Sequence, residues 1–542
     1  MPTLFSRPFL LVYAGSLALS FFLNIYIFRP DEAFAVSLSG WLASGSLLAC
    51  FFVLCCKCRW AGFVLLPLIA LVTATVYYVF KVFGVYIDYN IIASMMETNT
   101  GEMSPYCTWT NVLLVAGTLI LPIAAVHYGH KYLNPHLQWK HVLCAAGMFT
   151  VFLLGFLPAL HSSRLPSEYA KYYAGSAYWP FVDLRTNYKR VKEYIKKGGR
   201  QFYEIMNLPS MAELPSQCRL SEEDELTIVF HQGESVRADH LQINGYARPT
   251  TPLLAQRSKN LISFPNCHSF GLVTRVSVIG LWTDAETLDR RPRHASFLDV
   301  FSKHGYETAA VLPKEESIHD FPLEIMLSKV HKKNYVKTPS HKPEHVFEPT
   351  VRRVRQTDEG MPGKRKFLVF YDSGVHPFFR SRPANKRFLP DDFPRENPLK
   401  NLDAAVNAYD NNLLEIDWEI DAILQSLESK NAVFIHMSDH GVALGEEGKF
   451  GQGNSTEPVK KPAFFIWMTD EYIRRNPGIF QNLKANASLP VSHDYLLHTI
   501  LSLGRIESSI QKRELDLTRE TAQPFSPPPD AAILMKEQKN SF

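Results

Sequence analysis

Strong charge is the first thing this 542-residue chain lacks, its formal net charge being only +4. It also has no basic helix interleaved with aromatics, so a nucleic-acid partner is not expected. Cysteine is scarce where a disulfide scaffold would need it. Of eight cysteines, Cys50, Cys55, Cys56 and Cys58 cluster at one end of an apolar segment, Cys107 and Cys144 stand alone, and Cys218 and Cys267 fall in the more polar remainder. That distribution excludes a disulfide-dense secreted module and matches no zinc-finger spacing. In an oxidising compartment Cys218 and Cys267 could pair, which the sequence alone leaves open. Charge is also nearly missing from residues 1–160, where it is confined to short gaps.

What fills that region is apolar. Five runs, near residues 9–28, 36–56, 60–85, 111–128 and 141–160, approach the roughly twenty residues a helix needs to cross a bilayer. The first is long for a signal peptide and no small-residue cleavage site follows it, so it is read as a signal anchor. Arg7, then Lys57 with Arg59, then Lys131 with Lys140 alternate correctly to share the cytoplasmic side, with Lys81 a mild exception. An odd number of spans puts the amino terminus inside and everything beyond Leu160 outside. The loop after the third run places Ser94, Thr98 and Glu102 four residues apart, on one face if helical and suited to hydrogen bonding at headgroup level. Residues 161–219, rich in tyrosine and then basic over 189–200, read as a connector hugging the membrane interface.

Residues 220–506 alternate short apolar runs with helical patterns. The runs at 226–230, 308–312, 367–371, 432–436 and 463–467 read as strands buried on both faces, with helices near 294–304 and 402–427 between them. The expected fold is therefore a membrane-helix bundle followed by an α/β domain with a mostly parallel sheet, whose site lies at the carboxyl ends of the strands. The basic stretch 332–366 reads as a surface insertion, and residues 507–542 as a loose polar tail.

Two strand ends carry chemistry. One runs from Phe230 through Gly233, Glu234 and Ser235; the other ends in Ser438, Asp439 and His440. Glu, Asp and His form the mixed oxygen and nitrogen donor set that a divalent cation such as Zn²⁺ accepts. Between them, the hydroxyl-rich turn Asn266–Ser277 offers a Ser or Thr nucleophile, since a metal lowers a hydroxyl's pKa. The same turn also reads as a capped helix start. His493, in Ser492-His-Asp494, starts a helix and is as readily structural as site-lining.

Taken together, the Ser94, Thr98 and Glu102 loop, the run from Gly233 to Pro252, Tyr409-Asp-Asn411, Ser438 to Glu446 and Ser492-His-Asp494 resemble the phosphoethanolamine transferases of the alkaline-phosphatase/sulfatase superfamily, including the mobile colistin-resistance proteins. The resemblance covers nearly the whole chain. It implies a bacterial inner-membrane protein with a periplasmic catalytic domain, probed by polymyxin resistance. Phosphatidylethanolamine would be the donor and a glycolipid such as lipid A or lipopolysaccharide core the acceptor. It further implies one zinc, with room for a second, a covalent phospho-threonine and a monomer among membrane lipids. Residue by residue, it makes Glu234, Asp439 and His440 metal ligands together with Thr274, the nucleophile. Ser94, where the family has Asn, Thr98, Glu102, His376 and Gln452 become substrate contacts. Thr274 aligns without a gap, and Ser269 and Ser277 are weaker candidates. The chain departs from the family at Phe270, which replaces a cysteine and removes a disulfide common in relatives, at Leu272 for a threonine, and at Gln452 for a histidine.

Two rival readings share the fold. A phosphoglycerol transferase or phosphodiesterase would use phosphatidylglycerol. A catalytically inactive, lipid-binding relative is motivated by Leu272 and Gln452. A plain sulfatase is disfavoured, because neither Cys267 nor Ser269 stands in the Cys/Ser-x-Pro-x-Arg context such enzymes require.

Overall fold

The computed structural model describes, with isolated exceptions, residues 5–24, 34–58, 127–162, 204–314, 326–337, 347–371 and 386–527. Among the described residues, three long helices lie in the amino-terminal part: α1 (Arg7–Asn24), α2 (Phe34–Lys57) and α3 (Trp139–Ser162). Phe9, Ala49, Val53, Cys56 and Ala145 form one buried cluster that joins them. Trp41 donates from its indole to the Leu17 carbonyl at 2.8 Å, which ties α2 to α1. These helices fall on the first, second and fifth expected apolar runs. Among the described residues no helix is long and apolar enough to cross a membrane. Most of the third and fourth runs, most of the connector, and Ser94, Thr98, Glu102 and His376 lie outside the described residues.

The described residues from 204 onward build a seven-stranded sheet. Its strands are β1 (Leu226–Gly233), β2 (Leu261–Ser263), β3 (Glu307–Lys314), β4 (Lys332–Lys337), β5 (Arg365–Tyr371), β6 (Ala432–Ser438) and β7 (Phe464–Met468). Their spatial order is β2-β7-β6-β1-β5-β3-β4. The block from β6 to β4 is parallel, while β7 runs antiparallel to both its neighbours. The sheet is thus mixed, with the expected parallel core. Every residue of β1 is buried, as a central strand covered on both faces requires. Ile228 and Phe230 join the core beneath α4 (Thr274–Trp282) and α7 (Asp494–Leu503). Val229, on the other face, joins the core beneath α5 (Phe347–Glu359) and α6 (Leu402–Leu427).

Two expectations need correction. The basic stretch 332–366 is not an insertion: it supplies edge strand β4 and helix α5, which buries Phe347, Thr350, Val351 and Val354 and turns Arg352 and Arg353 to solvent. Residues 507–527 pack on the domain: Ile506–Ser508 pairs with Ser216–Cys218, Leu517 is fully buried, and the Phe525 amide donates to the Pro490 carbonyl. The pairing of Cys218 with Cys267, which the sequence left open, is not made: both are free thiols.

Candidate metal centre

The site follows from register. β1 and β6 are adjacent and parallel, and Gly233 pairs with Ser438, so the next residue of each strand, Glu234 and Asp439, emerges at the same sheet edge. Gly233 is required there, because a Cβ on it would lie 2.5 Å from His436 Cε1. Beyond Glu234 the chain turns sharply through Ser235, whose φ of 60° lies in the left-handed region that non-glycine residues seldom occupy. That turn is held from several sides. The Ser235 amide donates to Asp439 Oδ1 at 3.1 Å and its hydroxyl to Glu234 Oε1 at 2.7 Å. The Val236 amide donates to Ser438 Oγ at 2.8 Å. The fully buried Tyr409 hydroxyl accepts from the Arg237 amide at 2.8 Å and donates to the Ser235 carbonyl at 3.0 Å.

Glu234, Asp439 and His440 converge, offering ligand atoms that all lie within 4.8 Å of one another. All three are buried. His440 Nδ1 lies 2.8 Å from the Gly441 carbonyl, which can only accept, so this nitrogen carries the proton. The bare lone pair of Nε2 then faces Asp439 Oδ2 at 3.2 Å and Glu234 Oε1 at 3.6 Å. Oδ2 has no hydrogen-bond partner among the described residues. Lone pairs facing one another in a dry pocket are repulsive unless a cation lies between them. Burial pushes the Asp439 carboxyl up to about 6 and lowers the His440 pKa, so without a cation the site resists holding its charges. Two carboxylates, an imidazole and a nearby hydroxyl fit a divalent metal ion, and Zn²⁺ suits this donor chemistry.

The hydroxyl is Thr274. It is the first residue of α4, half-buried, and donates to Glu234 Oε2 at 2.9 Å, with His440 Nε2 at 3.3 Å. Ser269 and Ser277, the other hydroxyls considered, are buried, and neither hydroxyl has a partner among the described residues. The turn before Thr274 is anchored by its apolar residues. Leu272 packs with Ala443 and Val459, and its carbonyl accepts from the Gly453 amide at 2.8 Å. Phe270 lies so close to Gly280 that a Cβ there would be 2.3 Å from its ring, and the Arg290 guanidinium sits 4.7 Å from the ring centre. Gln452 lies beside the His440 ring, with its Oε1 buried and without a partner among the described residues.

Sequence reasoning brought out the four converging groups but missed their supports. Tyr371, at the end of β5, donates to Glu234 Oε2 at 3.2 Å. A tyrosine closing an apolar run gives no signal until its strand is known to adjoin β1. His493, left open between a structural and a site-lining role, touches both halves of the site. Its Nδ1 accepts from the Phe270 amide at 3.2 Å, and Nε2 donates to the Ser438 carbonyl at 3.0 Å. Burial lowers its pKa to about 3, so the ring stays neutral.

Comparison with known proteins agrees with this architecture. A family model described as Sulfatase matches residues 227–506, and one described as phosphoethanolamine transferase EptA/EptB matches residues 46–164. Phosphoethanolamine transferase EptA of Escherichia coli (strain K12) is 24% identical over 532 residues, covering 91% of this chain and 89% of the relative. Phosphatidylethanolamine transferase Mcr-1 of Escherichia coli is 27% identical over 299 residues, covering 51% of this chain and 53% of the relative. Among solved structures, the integral membrane protein lipooligosaccharide phosphoethanolamine transferase A (EptA) from Neisseria meningitidis aligns with a TM-score of 0.72 at 21% identity, covering 94% of this chain and 97% of that one. The C-terminal periplasmic domain of EcEptC from Escherichia coli, in complex with Zn, aligns with a TM-score of 0.52 at 18% identity, covering 59% of this chain and 92% of that one. The chain belongs to the sulfatase family and, within the alkaline-phosphatase/sulfatase superfamily, to its phosphoethanolamine transferases.

Proposed function

We propose that this protein moves phosphoethanolamine from phosphatidylethanolamine to a glycolipid acceptor, lipid A or lipopolysaccharide core, through a covalent intermediate on Thr274. The observation that carries the reading is the Thr274 hydroxyl, half-buried and 2.9 Å from Glu234 Oε2, beside the only His/Asp/Glu cluster of metal-ligand geometry among the described residues. The relatives named as phosphoethanolamine and phosphatidylethanolamine transferases support donor and group.

Glu234, Asp439, His440 and Thr274 would hold one zinc ion, which lowers the pKa of the threonine hydroxyl and offsets charge on the phosphoryl group. The hydroxyl proton already points at Glu234 Oε2, the group placed to receive it. Thr274 Oγ1 attacks phosphorus, the bond to diacylglycerol oxygen breaks, and that oxygen leaves with a proton. In the second half an acceptor hydroxyl or phosphate oxygen attacks the same phosphorus and Thr274 is regenerated. Because Thr274 opens a helix, the partial positive charge of that terminus faces the phosphoryl oxygens. Gln452, beside His440, contacts the transferred group without exchanging protons, so it neither relays a proton nor favours a second metal. His376 and the Ser94, Thr98 and Glu102 loop complete the donor site. The apolar runs of residues 1–160 anchor the chain in the inner membrane with the amino terminus cytoplasmic.

The test is intact-mass spectrometry of the purified protein after incubation with phosphatidylethanolamine, followed by peptide mapping. A phosphoethanolamine adduct on Thr274, absent from Thr274→Ala, is the expected result. An adduct on another residue, or full transfer by Thr274→Ala, would overturn it. Stoichiometric zinc with no adduct would favour the inactive relative, and an adduct formed from phosphatidylglycerol alone the phosphoglycerol transferase.

A further inference from the structure

We propose that His493 is a positioning residue for this transfer: its imidazole clasps the turn bearing Thr274 to the strand end bearing Asp439 and His440, and so fixes the distance between nucleophile and metal ligands. The proposal rests on the assignment of Thr274 as nucleophile.

Two segments must be held in register for the chemistry, and they are remote in the chain. The Thr274 turn leads into α4, whereas Asp439 and His440 follow β6. His493 is fully buried, and each of its ring nitrogens serves one of these segments. Nδ1 accepts from the amide of Phe270, four residues before Thr274, and Nε2 donates to the carbonyl of Ser438, directly before Asp439. One nitrogen must accept and the other donate, which a neutral imidazole with its proton on Nε2 satisfies. Ser438 also accepts the Val236 amide on its hydroxyl, so the clasp reaches the Glu234 turn as well.

The other end of each contact is rigid. Phe270 is held by close contact with Gly280 and by the Arg290 guanidinium against its ring, so its amide has little freedom to follow a displaced partner. His493 itself is fixed at the start of α7, with its amide bonded to the His268 carbonyl at 3.1 Å and its carbonyl accepting from the Leu496 amide at 3.0 Å. The ring is therefore a spacer of set length between two fixed walls. Its ring hydrogen bonds go to the Phe270 amide and the Ser438 carbonyl, and to none of the four groups proposed as metal ligands. A spacer of this kind acts on the chemical step, because a nucleophile displaced by about 1 Å loses on the order of a hundredfold in rate.

Three substitutions separate the two bonds. In His493→Asn the side-chain oxygen can stand where Nδ1 stands and keep the Phe270 contact. In His493→Gln the longer amide can stand where Nε2 stands and keep the Ser438 contact. His493→Ala loses both. The control is His498→Asn, a second buried histidine on α7 whose Nδ1 accepts from the Lys512 amide at 3.2 Å, away from the site. For each variant the rate of Thr274 adduct formation from phosphatidylethanolamine vesicles, steady-state kcat and KM, zinc content and melting temperature are measured. The expected result is a kcat lowered roughly a hundredfold in His493→Ala and roughly tenfold in the Asn and Gln variants. KM should stay within about twofold and zinc at the wild-type level, while His498→Asn loses stability but keeps wild-type kcat. Adduct formation at the wild-type rate in a folded, zinc-loaded His493→Ala would overturn the clasp and leave the nucleophile assignment standing. So would a loss of kcat in His498→Asn matching that in the His493 variants, which would mark the effect as general destabilisation. Absence of any Thr274 adduct in the wild-type protein would instead refute the nucleophile assignment.

Discussion

Replacing Asp439 by asparagine should make the metal-free protein more stable while abolishing transfer. Burial raises the carboxyl from 3.8 to about 6. A raised acid pKa means that folding favours the protonated form. Asp439 therefore costs the metal-free protein nothing below about pH 4, a growing amount from about pH 4 to about pH 6, and a constant amount above. About two pKa units at ~1.36 kcal/mol each set that cost near 3 kcal/mol. Asparagine removes the charge and keeps the geometry. Its oxygen still accepts from the Ser235 and His440 amides, and its NH₂ takes the place of Oδ2, 3.2 Å from the bare Nε2 of His440. At roughly 2–4 °C per kcal/mol for a domain of this class, chelator-treated Asp439→Asn should melt about 5–10 °C above chelator-treated wild type at pH 8. The difference should shrink toward zero near pH 4. Scanning fluorimetry across that pH range reads it directly, and other buried acids such as Asp494 cancel because both proteins carry them. Adding zinc should reverse the order, since wild type alone gains binding energy. If the metal-free variant melts at or below wild type at pH 8, the argument that this pocket is electrostatically frustrated without a cation is wrong.

Other consequences follow from single contacts. Tyr371→Phe removes the donor 3.2 Å from Glu234 Oε2 and should weaken zinc binding by about 10–100-fold in a competition titration, with little change in fold. Gly233→Ala drives a methyl to 2.5 Å from His436 Cε1, whose ring is wedged between Phe465 and His231, and should destabilise the protein by about 1–3 kcal/mol in denaturant unfolding. Thr274→Ser keeps a hydroxyl within reach of Glu234 Oε2 and should retain adduct formation that Thr274→Ala loses.

Much of the catalytic core was legible because its strands are central. A run such as Leu226–Gly233, buried on both faces, must be continuously apolar, so the turn residues at its end stand out against it. Gly-Glu-Ser after one such run and Asp-His after another were visible for that reason. What joins them is the pairing of Gly233 with Ser438, a contact between residues 205 apart that no local pattern encodes. The misread segments failed on composition. β4 lies at the sheet edge and shows Lys332 to solvent, so it reads as basic surface. α5 hides its apolar stripe, Phe347, Val351 and Val354, among arginines, although that spacing is helical. Residues 507–527 are polar overall, and a single deeply buried Leu517 was too little to signal packing.

The turn before Thr274 unites these levels. The resemblance implied that Phe270 and Leu272 were losses, one of a cysteine and one of a hydroxyl. In the fold each has a packing partner matched to it: Phe270 has a glycine with no Cβ beneath its ring, and Leu272 has Ala443 and Val459. Apolar contacts thus fix the turn at two points, and the Gly453 amide on the Leu272 carbonyl fixes it at a third. On the proposed route, a half-buried threonine held this way would need no reorganisation as a phosphoryl group arrives, which would let it compete with water. The same logic explains why rigidity gathers on the protein side of the site. Glu234, Asp439 and His440 are costly to bury and repel one another, so their geometry cannot be maintained by their own interactions. It is maintained by Ser235, Ser438, Tyr371 and Tyr409, whose hydrogen bonds hold the ligands in place before any cation enters.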